Sequence, residues 1–450
     1  MSDQSLDSPW PVVHLRDVTE NVKSWNPSSA GEFTYVDISS IDNHRCEIVN
    51  PKHLPGSHAP SRARRPIQDG DVVFSNVRTY LRNVAQVSGI QQPAVASTGF
   101  TVLRPKAEID SRYLYHLTRS DFFIDRVTPG QTGTHYPATS DRVVRDQCIP
   151  LPDLDTQREL ASLIDDAEQY RLSSSKHIAD ASRAVGHFRQ SVLAAACSGR
   201  LTSDWRVALQ PERTAENLLA DICAERESRL GRRFKRTEPP EVGDDLPEGW
   251  LRTTIGALVD VATGATPLRK RTDYYNGRIP WVTSGAVNAG LITEAKEFIS
   301  ELAIKETNAK VFPAGTLLVA MYGEGQTRGR VAELCIDSAT NQAVAALLFN
   351  EVNKDLRSFI HVFLLENYER IRRLSFGGVQ PNLSLEVIRN TAVPLPPPGE
   401  QAEIVRRVTQ VLALADRLVN RIDAASRAVD RTSQALLSKA FSGGLTTTEG

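Results

Sequence analysis

Six loops of this 450-residue chain concentrate arginine, tyrosine, asparagine and glutamine, and they fall into two sets of three, one in each half. An arginine can donate two hydrogen bonds to guanine, and the amide of asparagine or glutamine can pair in the same way with adenine. Lysine, serine, threonine and backbone amides more often hold phosphates. These residue types therefore suggest two surfaces that could read base edges of nucleic acid.

The candidate contact residues come from all six loops. Those in the N-terminal half are Arg62, Arg64, Arg65, Arg78, Tyr80, Arg82, His135 and Tyr136. Those in the C-terminal half are Arg269, Lys270, Arg271, Tyr274, Tyr275, Arg278, Tyr322, Gln326, Arg328, Arg330, Gln380 and Asn382. A single arginine of this kind is more often a solvated surface charge. The recurrence of three such loops at matched positions favours recognition.

No catalytic signature accompanies these loops. The chain has no G-x-x-x-x-G-K-[ST] phosphate loop, no G-x-G-x-x-G sequence opening a helix after a strand, no H-E-x-x-H and no G-x-S-x-G. The glycine-rich stretch Gly323 to Gly329 lacks the lysine of a phosphate loop, and a turn explains it better. The nine histidines are dispersed, so no metal site is predicted. We expect a chain that binds rather than catalyses.

An internal duplication supplies the elements that hold the loops. When the register is shifted by 244 positions, Gly133 to Thr202 aligns without a gap on Gly377 to Thr446. Pro-Leu-Pro occurs at 150–152 and again at 394–396. Other matched pairs are Pro137 and Pro381, Ser140 and Ser384, Val143 and Val387, Arg145 and Arg389, and Gln157 and Gln401. An ungapped match of this length indicates that one module was duplicated.

Each copy continues after its Pro-Leu-Pro as one long helix with a heptad seam, which Ser-Gly should end. The second copy places on that seam Ile404, Val408, Val411, Ala415, Leu418, Ile422, Ala425, Val429, Thr432 and Leu436. The first copy has Leu160, Ile164, Ala167, Arg171, Ser174, Ile178, Ala181, Val185, Phe188 and Val192 at the same places. Two stripes in the same phase favour pairing of the two helices over two separate core helices.

The remaining sequence predicts an α+β chain with two β-rich mixed domains, at 1–150 and 247–393. Strand-like runs in the first are 33–38, 71–75 and 99–103, and 113–124 has the spacing of one helix, with its counterpart at 356–374. The long helices occupy 151–200 and 394–443. Residues 201–246 hold a charged helix, about Ala215 to Lys235, and an exposed linker, and 444–450 is predicted to be a disordered tail.

Composition narrows the class of protein. The five cysteines are scattered and never form C-x-x-C, which argues against a disulfide scaffold or zinc ribbon and suits a reducing cytoplasm. No signal peptide or membrane span is evident, so we expect a cytoplasmic protein. The net charge of −1 argues against coating nucleic acid by bulk charge. Basic residues nevertheless cluster at 62–65, 229–236 and 269–271.

The order of several motifs is similar to that of a known family. They are Phe33-Thr-Tyr-Val-Asp-Ile-Ser-Ser-Ile, Leu246-Pro-Glu-Gly-Trp250, Gly264-Ala-Thr-Pro through Arg278-Ile-Pro-Trp-Val, and Gly377 to Ser384 followed by Pro394-Leu-Pro-Pro-Pro-x-Glu-Gln. Together they cover nearly the whole chain, and they resemble the specificity subunits of type I restriction-modification systems. The first copy departs from the pattern, since Thr134-His-Tyr-Pro-Ala-Thr-Ser replaces the usual Gln-Pro-Asn-x-Ser.

The resemblance implies a non-catalytic subunit that binds double-stranded DNA. Each β-rich domain would be a target recognition domain that reads one half of an asymmetric, bipartite site. The long helices would pair antiparallel as a coiled coil, space the domains and dock two methyltransferase subunits, and a separate restriction and motor subunit would cleave. No cofactor is expected on this chain, whereas S-adenosylmethionine, ATP and magnesium are expected on the partner subunits.

Physical argument agrees with that arrangement. Local two-fold axes of B-DNA let two copies of one reader bind equivalently if such an axis relates them, which makes their helices antiparallel. About forty residues of helix span roughly 60 Å at 1.5 Å per residue, which limits the spacing of the two half-sites to under about two turns of DNA. The near-neutral charge supports an alternative, a coiled-coil adaptor whose two domains bind protein or sugar.

Overall fold

The computed structural model describes residues 8–130, 137–209, 213–231, 245–323, 326–349, 354–374, 383–442 and 444–445. The chain divides into two compact units. The first consists of Met1–Ala181 with Ile422–Gly450, and the second of Ser182–Arg421. Each unit therefore holds one β-rich domain together with segments of both long helices. None of the described helices is long and apolar enough to cross a membrane.

The domain of the first unit is built on two four-stranded sheets and two small two-stranded ones. Its strands are β1 (Val12–His14), β2 (Thr19–Glu20), β3 (Glu32–Val36), β4 (Ile41–Asp42), β5 (Glu47–Ile48), β6 (Lys52–Pro55), β7 (Ala63–Ile67), β8 (Val72–Ser75), β9 (Val84–Gln86), β10 (Ala94–Ser97), β11 (Phe100–Pro105) and β12 (Cys148–Pro150). Its helices are α1 (Leu15–Val18), α2 (Ser111–Arg119), α3 (Asp121–Val127) and α4 (Asp141–Arg145). The large sheets have the orders β6-β3-β10-β7 and β2-β11-β8-β9, and β1-β12 and β4-β5 are the small ones.

Alternation along the strands places the sheet β2-β11-β8-β9 between two cores. Val72 and Phe74 of β8 point to the side that packs on the helices, and Val73 points to the other large sheet. Residues on opposite faces of one strand alternate with period two, so a continuous apolar run is buried on both sides. The predicted strands at 33–38, 71–75 and 99–103 are confirmed as β3, β8 and β11.

After the first domain the chain forms α5 (Leu154–Cys197), α6 (Ser203–Ala208) and α7 (Ala215–Leu230). The charged helix α7 begins at the predicted residue but ends at Leu230, before Gly231 with φ of 52°. Its Leu218 and Ile222 are buried in the core of the second unit, so one face of α7 packs on that core. The predicted exposed linker falls largely at 232–244, outside the described residues.

The domain of the second unit repeats the first. Its strands are β13 (Leu251–Thr254), β14 (Asp260–Thr263), β15 (Ile279–Val282), β16 (Leu291–Ile292), β17 (Glu297–Ile299), β18 (Val311–Phe312), β19 (Leu317–Ala320), β20 (Val331–Leu334), β21 (Ser338–Thr340), β22 (Val344–Leu348) and β23 (Ala392–Leu395). Its helices are α8 (Ile255–Leu258), α9 (Glu301–Glu306), α10 (Lys354–Glu366), α11 (Tyr368–Leu374) and α12 (Leu385–Arg389), and α13 (Pro398–Phe441) follows. The sheets have the orders β14-β22-β19-β20-β16, β17-β15-β21-β18 and β13-β23.

Among the described residues, these orders match those of the first domain apart from the β4-β5 pair of the first domain and the added β16 of the second. In both domains one pair at the centre of a sheet is parallel, β3 with β10 and β15 with β21. The weak sequence match between the two domains therefore reflects one topology used twice. The predicted α+β fold with an internal repeat is confirmed.

The long helices α5 and α13 have 44 residues each, as the seams predicted. In the first unit Ser433 donates to Glu168 at 2.8 Å, while Leu160 and Phe441 share a core. Residues near the start of α5 thus meet residues near the end of α13, so the two helices are antiparallel there. In the second unit Arg189 pairs with Asp416, and Arg407 donates to Leu201 O at 2.8 Å, which gives the same antiparallel order.

Parts of the predicted seam are wrong. On α13 Leu418 is 45% exposed, and Ala425 and Thr432 are also exposed. Their places on the inner side are taken by half-buried residues one position later, Val419, Ser426 and Ser433. A step of four after Ala415 in place of the expected three moves one side of the stripe, and a helix of 3.6 residues per turn accommodates such a step. On α5 Phe188 is 46% exposed, and Arg189 is half-buried in its place.

The single helix predicted at 113–124 is two helices. Ser120 ends α2 and caps α3, since its hydroxyl accepts from Phe123 N at 3.4 Å. The counterpart predicted at 356–374 is likewise broken at Asn367, between α10 and α11. Serine and asparagine compete with helical backbone hydrogen bonds, which favours a boundary at such residues.

The residues that match between the copies stabilise the framework. Gln157 and Gln401 are fully buried, and each donates at 2.8 Å to the carbonyl of a proline five residues earlier, Pro152 and Pro396. In each copy this bond fastens Pro-Leu-Pro to the first turn of the long helix. The pairs Arg145 and Arg389, and Ser140 and Ser384, also act alike: the arginines donate to backbone carbonyls of β2 and β14, and the serines cap α4 and α12.

Replacement of Gln157 by alanine should destabilise the first unit. The side chain also accepts from Asp110 N at 2.7 Å and donates to Glu108 O at 3.1 Å, so its loss leaves the buried Pro152 carbonyl and two partly buried backbone groups unpaired. We expect a loss of roughly 3 kcal/mol in the free energy of unfolding, at about 1–3 kcal/mol for each unpaired group. Scanning calorimetry measures this loss as a lower transition temperature. The exposed Glu159→Ala is the control, and coincidence of the two variants' transitions would contradict the prediction.

Candidate nucleic-acid interface

The structure brings the predicted loops of the first domain together at one edge. Backbone hydrogen bonds join them: Thr98 N to Arg62 O at 2.8 Å, Asn76 N to Gly99 O at 2.8 Å, Arg78 N to Pro137 O at 2.9 Å and Thr139 N to Asn76 O at 2.8 Å. These bonds connect the turn before β7, the loop after β8, the turn between β10 and β11, and the segment that leads into α4. Side chains from distant parts of the sequence thereby share one surface.

The individual candidates of the first domain differ in exposure and contacts. Arg62 and Tyr80 are exposed, Tyr80 by 52%. Arg64 is half-buried and donates to Ala63 O at 2.7 Å. Arg65 forms an ion pair with Asp141 and is 27% exposed at its side chain. Arg78 has a left-handed backbone, with φ of 49°, which places the loop after β8 in a tight turn.

The contacts of Arg82 favour a structural role over the base contact predicted for it. Its guanidinium forms an ion pair with Asp121 at the start of α3. It also donates to the carbonyl of Arg119 at 3.4 Å and to Gln434 Oε1 of α13 at 3.3 Å. The residue thus joins the loop after β8 to α3 and to the long helix within the first unit.

In the second domain the first predicted loop is organised by stacked arginines. Arg269 lies over the rings of Tyr275 and Trp281, with 4.7 and 4.9 Å from its guanidinium carbon to the ring centroids. It also forms an ion pair with Glu297, and hydrogen bonding to this carboxylate raises the pKa of the guanidinium. Cation–π contacts and an ion pair together hold a half-exposed side chain in one orientation.

Arg271 is held in a similar way. It lies 4.4 Å from the ring centroid of Tyr274 and donates to Asp273 at 2.8 Å, which raises the pKa of the arginine and lowers that of the aspartate. Tyr274 donates its hydroxyl to Glu306 at 2.9 Å, and this bond raises the tyrosine pKa. Lys270 lies between the two stacked arginines and is exposed, as is Arg278.

The second predicted loop of this domain follows β19. Its backbone meets the same partners as in the first domain, because Met321 N donates to Ala343 O at 2.9 Å and Leu383 N donates to Met321 O at 3.2 Å. Arg330 donates to Gln326 Oε1 at 3.0 Å, so these two candidates pair with each other. Two further candidates of this loop are Tyr322, which is 40% exposed, and Arg328, which is half-buried.

Comparison with known proteins finds similarity to one family. The family model described as type I restriction modification DNA specificity domain matches residues 247–425. The specificity subunit of the type I restriction enzyme StySPI from Salmonella potsdam is 28% identical over 357 residues, which covers 76% of this chain and 67% of the relative. The EcoKI specificity subunit from Escherichia coli (strain K12) is 25% identical over 356 residues, covering 77% and 68%.

Solved structures extend the likeness to the whole chain. A chain from a study titled "Structural basis underlying complex assembly and conformational transition of the type I R-M system" is 26% identical, with a TM-score of 0.78 and coverage of 98% of this chain and 100% of that chain. Residues 247–425 match the type I specificity domain, and the whole chain is similar in sequence and fold to type I restriction-modification specificity subunits. The HsdS subunit from Thermoanaerobacter tengcongensis is 26% identical as well, with a TM-score of 0.58 and coverage of 99% and 100%.

The family model covers the second domain and part of α13, while the first domain lies outside its match. The repeated topology shows why the first domain is nevertheless of the same kind, since its strand orders and its loop contacts recur in the second. The first copy departs from the family motif at 134–140. The resemblance inferred from the sequence motifs is confirmed.

Four of the predicted contact residues, His135, Tyr136, Gln380 and Asn382, lie outside the described residues. Sequence reasoning missed other participants: Asn76, Thr101 and Asp141 beside Arg65, and Trp281 and Glu297 beside Arg269. Only their contacts with Arg65 and Arg269 in the folded protein identify them, because a search of the sequence for basic loop residues does not select acidic, apolar or small polar ones. Among the described residues, no group of three or more histidine, cysteine, aspartate or glutamate side chains could hold a metal ion.

Proposed function

We propose that this chain is the DNA-recognition subunit of a type I restriction-modification complex, and that its two repeated domains read the two halves of an asymmetric, bipartite site. The observation that carries the proposal is one backbone framework holding two different sets of polar side chains. Equal frameworks present their loops to DNA in the same way, and unequal side chains select different bases.

The near-neutral net charge supports recognition of specific bases over non-specific binding to DNA phosphates. The net charge is −1, and several candidate arginines are paired with carboxylates of the same domain, such as Arg65 with Asp141 and Arg269 with Glu297. Such pairs hold a guanidinium in place but contribute little net positive potential. Binding by the chain alone should therefore be weak, and we propose that partner subunits supply much of the affinity.

We further propose that two methyltransferase subunits dock on the long helices and that a restriction and motor subunit joins them. Tyr170 of α5 and Leu414 of α13 occupy equivalent positions of the repeat, and they are 76% and 52% exposed. Large apolar side chains left in water at equivalent places favour two equivalent protein contacts. In this proposal S-adenosylmethionine, ATP and magnesium bind the partner subunits, and catalysis takes place there.

Exchange of residues 10–150 for the corresponding domain of another specificity subunit should change one half of the methylated sequence. The other half should stay the same, because the second domain keeps its loops. Sequencing of methylated DNA from cells that carry the exchanged subunit and its methyltransferase measures both halves. A change in both halves would contradict the division of labour between the two domains.

Arg269→Ala and Lys270→Ala should have different effects on binding. Arg269 is oriented by two rings and a carboxylate, so its loss should weaken discrimination at one base pair by about 1–3 kcal/mol. Lys270 is exposed, and its loss should weaken all sequences equally and reduce the dependence on salt. Titration of single-substituted duplexes with the methyltransferase complex at several salt concentrations measures both effects. Equal losses on every duplex for Arg269→Ala would argue against base contact.

Serine at Tyr170 and Leu414 should weaken assembly with the methyltransferase. Each single variant removes one apolar contact and should lower the number of subunits bound, and the double variant should bind fewest. Native mass spectrometry of the purified complexes measures the stoichiometry. Val207→Ser is a matched control, because Val207 is 90% exposed but lies on α6 rather than on a long helix. Unchanged stoichiometry in the double variant would place the docking surface elsewhere.

A further inference from the structure

A cluster of four polar side chains lies beneath the convergent loops of the first domain. The Asp141 carboxylate accepts from Thr101 Oγ1 at 2.8 Å and from Asn76 Nδ2 at 3.1 Å, and it forms an ion pair with Arg65. The Thr101 hydroxyl also lies 2.8 Å from Asn76 Oδ1. The four residues come from β7, the end of β8, β11 and α4, so folding alone assembles them.

The cluster runs from the interior to the surface. Thr101 and Asn76 are buried, with 1% and 7% of their surface exposed. The side chains of Asp141 and Arg65 are 31% and 27% exposed. The buried hydroxyl and amide therefore hold one end of the carboxylate, and its other oxygen faces the guanidinium at the edge where the loops meet.

The second domain shows that the fold does not require this cluster. The backbone bonds made by Asn76 in the first domain are made by Met321 in the second. Thr101 corresponds to Ala345, because they pair with the equivalent residues Phe74 of β8 and Val319 of β19. Asp141 corresponds to Leu385 in the ungapped repeat. The second domain thus has apolar side chains where the first has an amide, a hydroxyl and a carboxylate; Met321 and Ala345 are buried and Leu385 is partly buried.

Burial of polar side chains in a protein core costs free energy unless they are hydrogen-bonded. A buried amide or hydroxyl such as those of Asn76 and Thr101 must keep its hydrogen bonds, whereas a buried apolar side chain has no such requirement. A cluster present in only one of two equivalent domains therefore serves something that differs between the domains. The reading of a different half-site is such a difference.

The remaining donors of Arg65 are suited to that task. A guanidinium has five N–H donors in a planar fork, and among the described residues Asp141 is the one acidic partner of Arg65, through Nη2. A carboxylate on one edge of the fork fixes its plane and leaves donors on the other edges. Two such donors match the two acceptors that guanine presents in the major groove.

We propose that Asp141 is a positioning residue for specificity: held by Asn76 and Thr101, it orients Arg65 to donate to a guanine in the half-site read by the first domain. The inference rests on the proposed function and deepens it. Asp141 touches the reading arginine and not the base, and the second domain orients Arg269 by other means, with Glu297 and two aromatic rings.

The test replaces the cluster with the residues that the second domain already uses. In the full-length chain, assembled with its methyltransferase, the triple variant Asn76→Met, Thr101→Ala and Asp141→Leu should fold and methylate. It should lose discrimination at one guanine of the first half-site by roughly 5- to 150-fold, as expected when one bidentate base contact is lost. The second half-site should be read as before. Arg65→Ala should relax the same position, and its combination with the triple variant should add little.

Sequencing of methylated sites separates the outcomes. Relaxation at one base pair of one half-site supports the inference, and a merely structural role would lower methylation at all sites without changing the sequence preference. An unchanged sequence preference in an active complex would overturn the inference and leave the proposed function standing. If the triple variant does not fold, Asp141→Asn provides the test, because it keeps the size of the side chain and removes the charge. If this variant is active and as selective as the parent, the inference is wrong.

Discussion

The core of each β-rich domain is completed by two different helices, and the rest of the structure depends on that constraint. In the first unit Leu160 near the start of α5 and Phe441 at the end of α13 join the same core. In the second unit Ile404 near the start of α13 and Val192 near the end of α5 do the same. The apolar face of each sheet would stay exposed without both helices, so the two copies of the repeat stabilise each other.

Residues that match between the copies and residues that differ have separate tasks. Gln157 and Gln401, and likewise Arg145 and Arg389, bind backbone groups that both domains share. A backbone contact is independent of the neighbouring side chains, so the same residue suits both copies. The side chains of the loops at the convergent edge are not constrained by such shared backbone contacts. Their side chains differ between the copies, from the cluster beside Arg65 to the rings beside Arg269.

The pairing of arginines with carboxylates reconciles a net charge of −1 with the proposed reading of DNA. An arginine that is held by an acidic side chain is already oriented when DNA arrives, which lowers the entropy lost on binding. The same carboxylate reduces non-specific attraction to phosphates. Such a surface favours selectivity over affinity, and it suits a subunit that works within a larger complex.

The sequence by itself determined the duplication, the β-rich domains, the two long helices and the resemblance to specificity subunits. These features depend on local sequence patterns and on an ungapped repeat, and both can be recognised without knowing any long-range contact. The tertiary structure decided the rest. The step after Ala415 follows from the packing of one helix against its neighbours, and the break at Ser120 from a cap that competes with one continuous helix. The pairing of Arg65 with Asp141 joins residues far apart in the chain, and the capture of Arg82 by Asp121 and Gln434 does the same. The sequence alone does not distinguish Arg65 from Arg82. The fold makes Arg65 a candidate for base contact and gives Arg82 structural contacts, because it decides which carboxylate or helix lies beside each arginine.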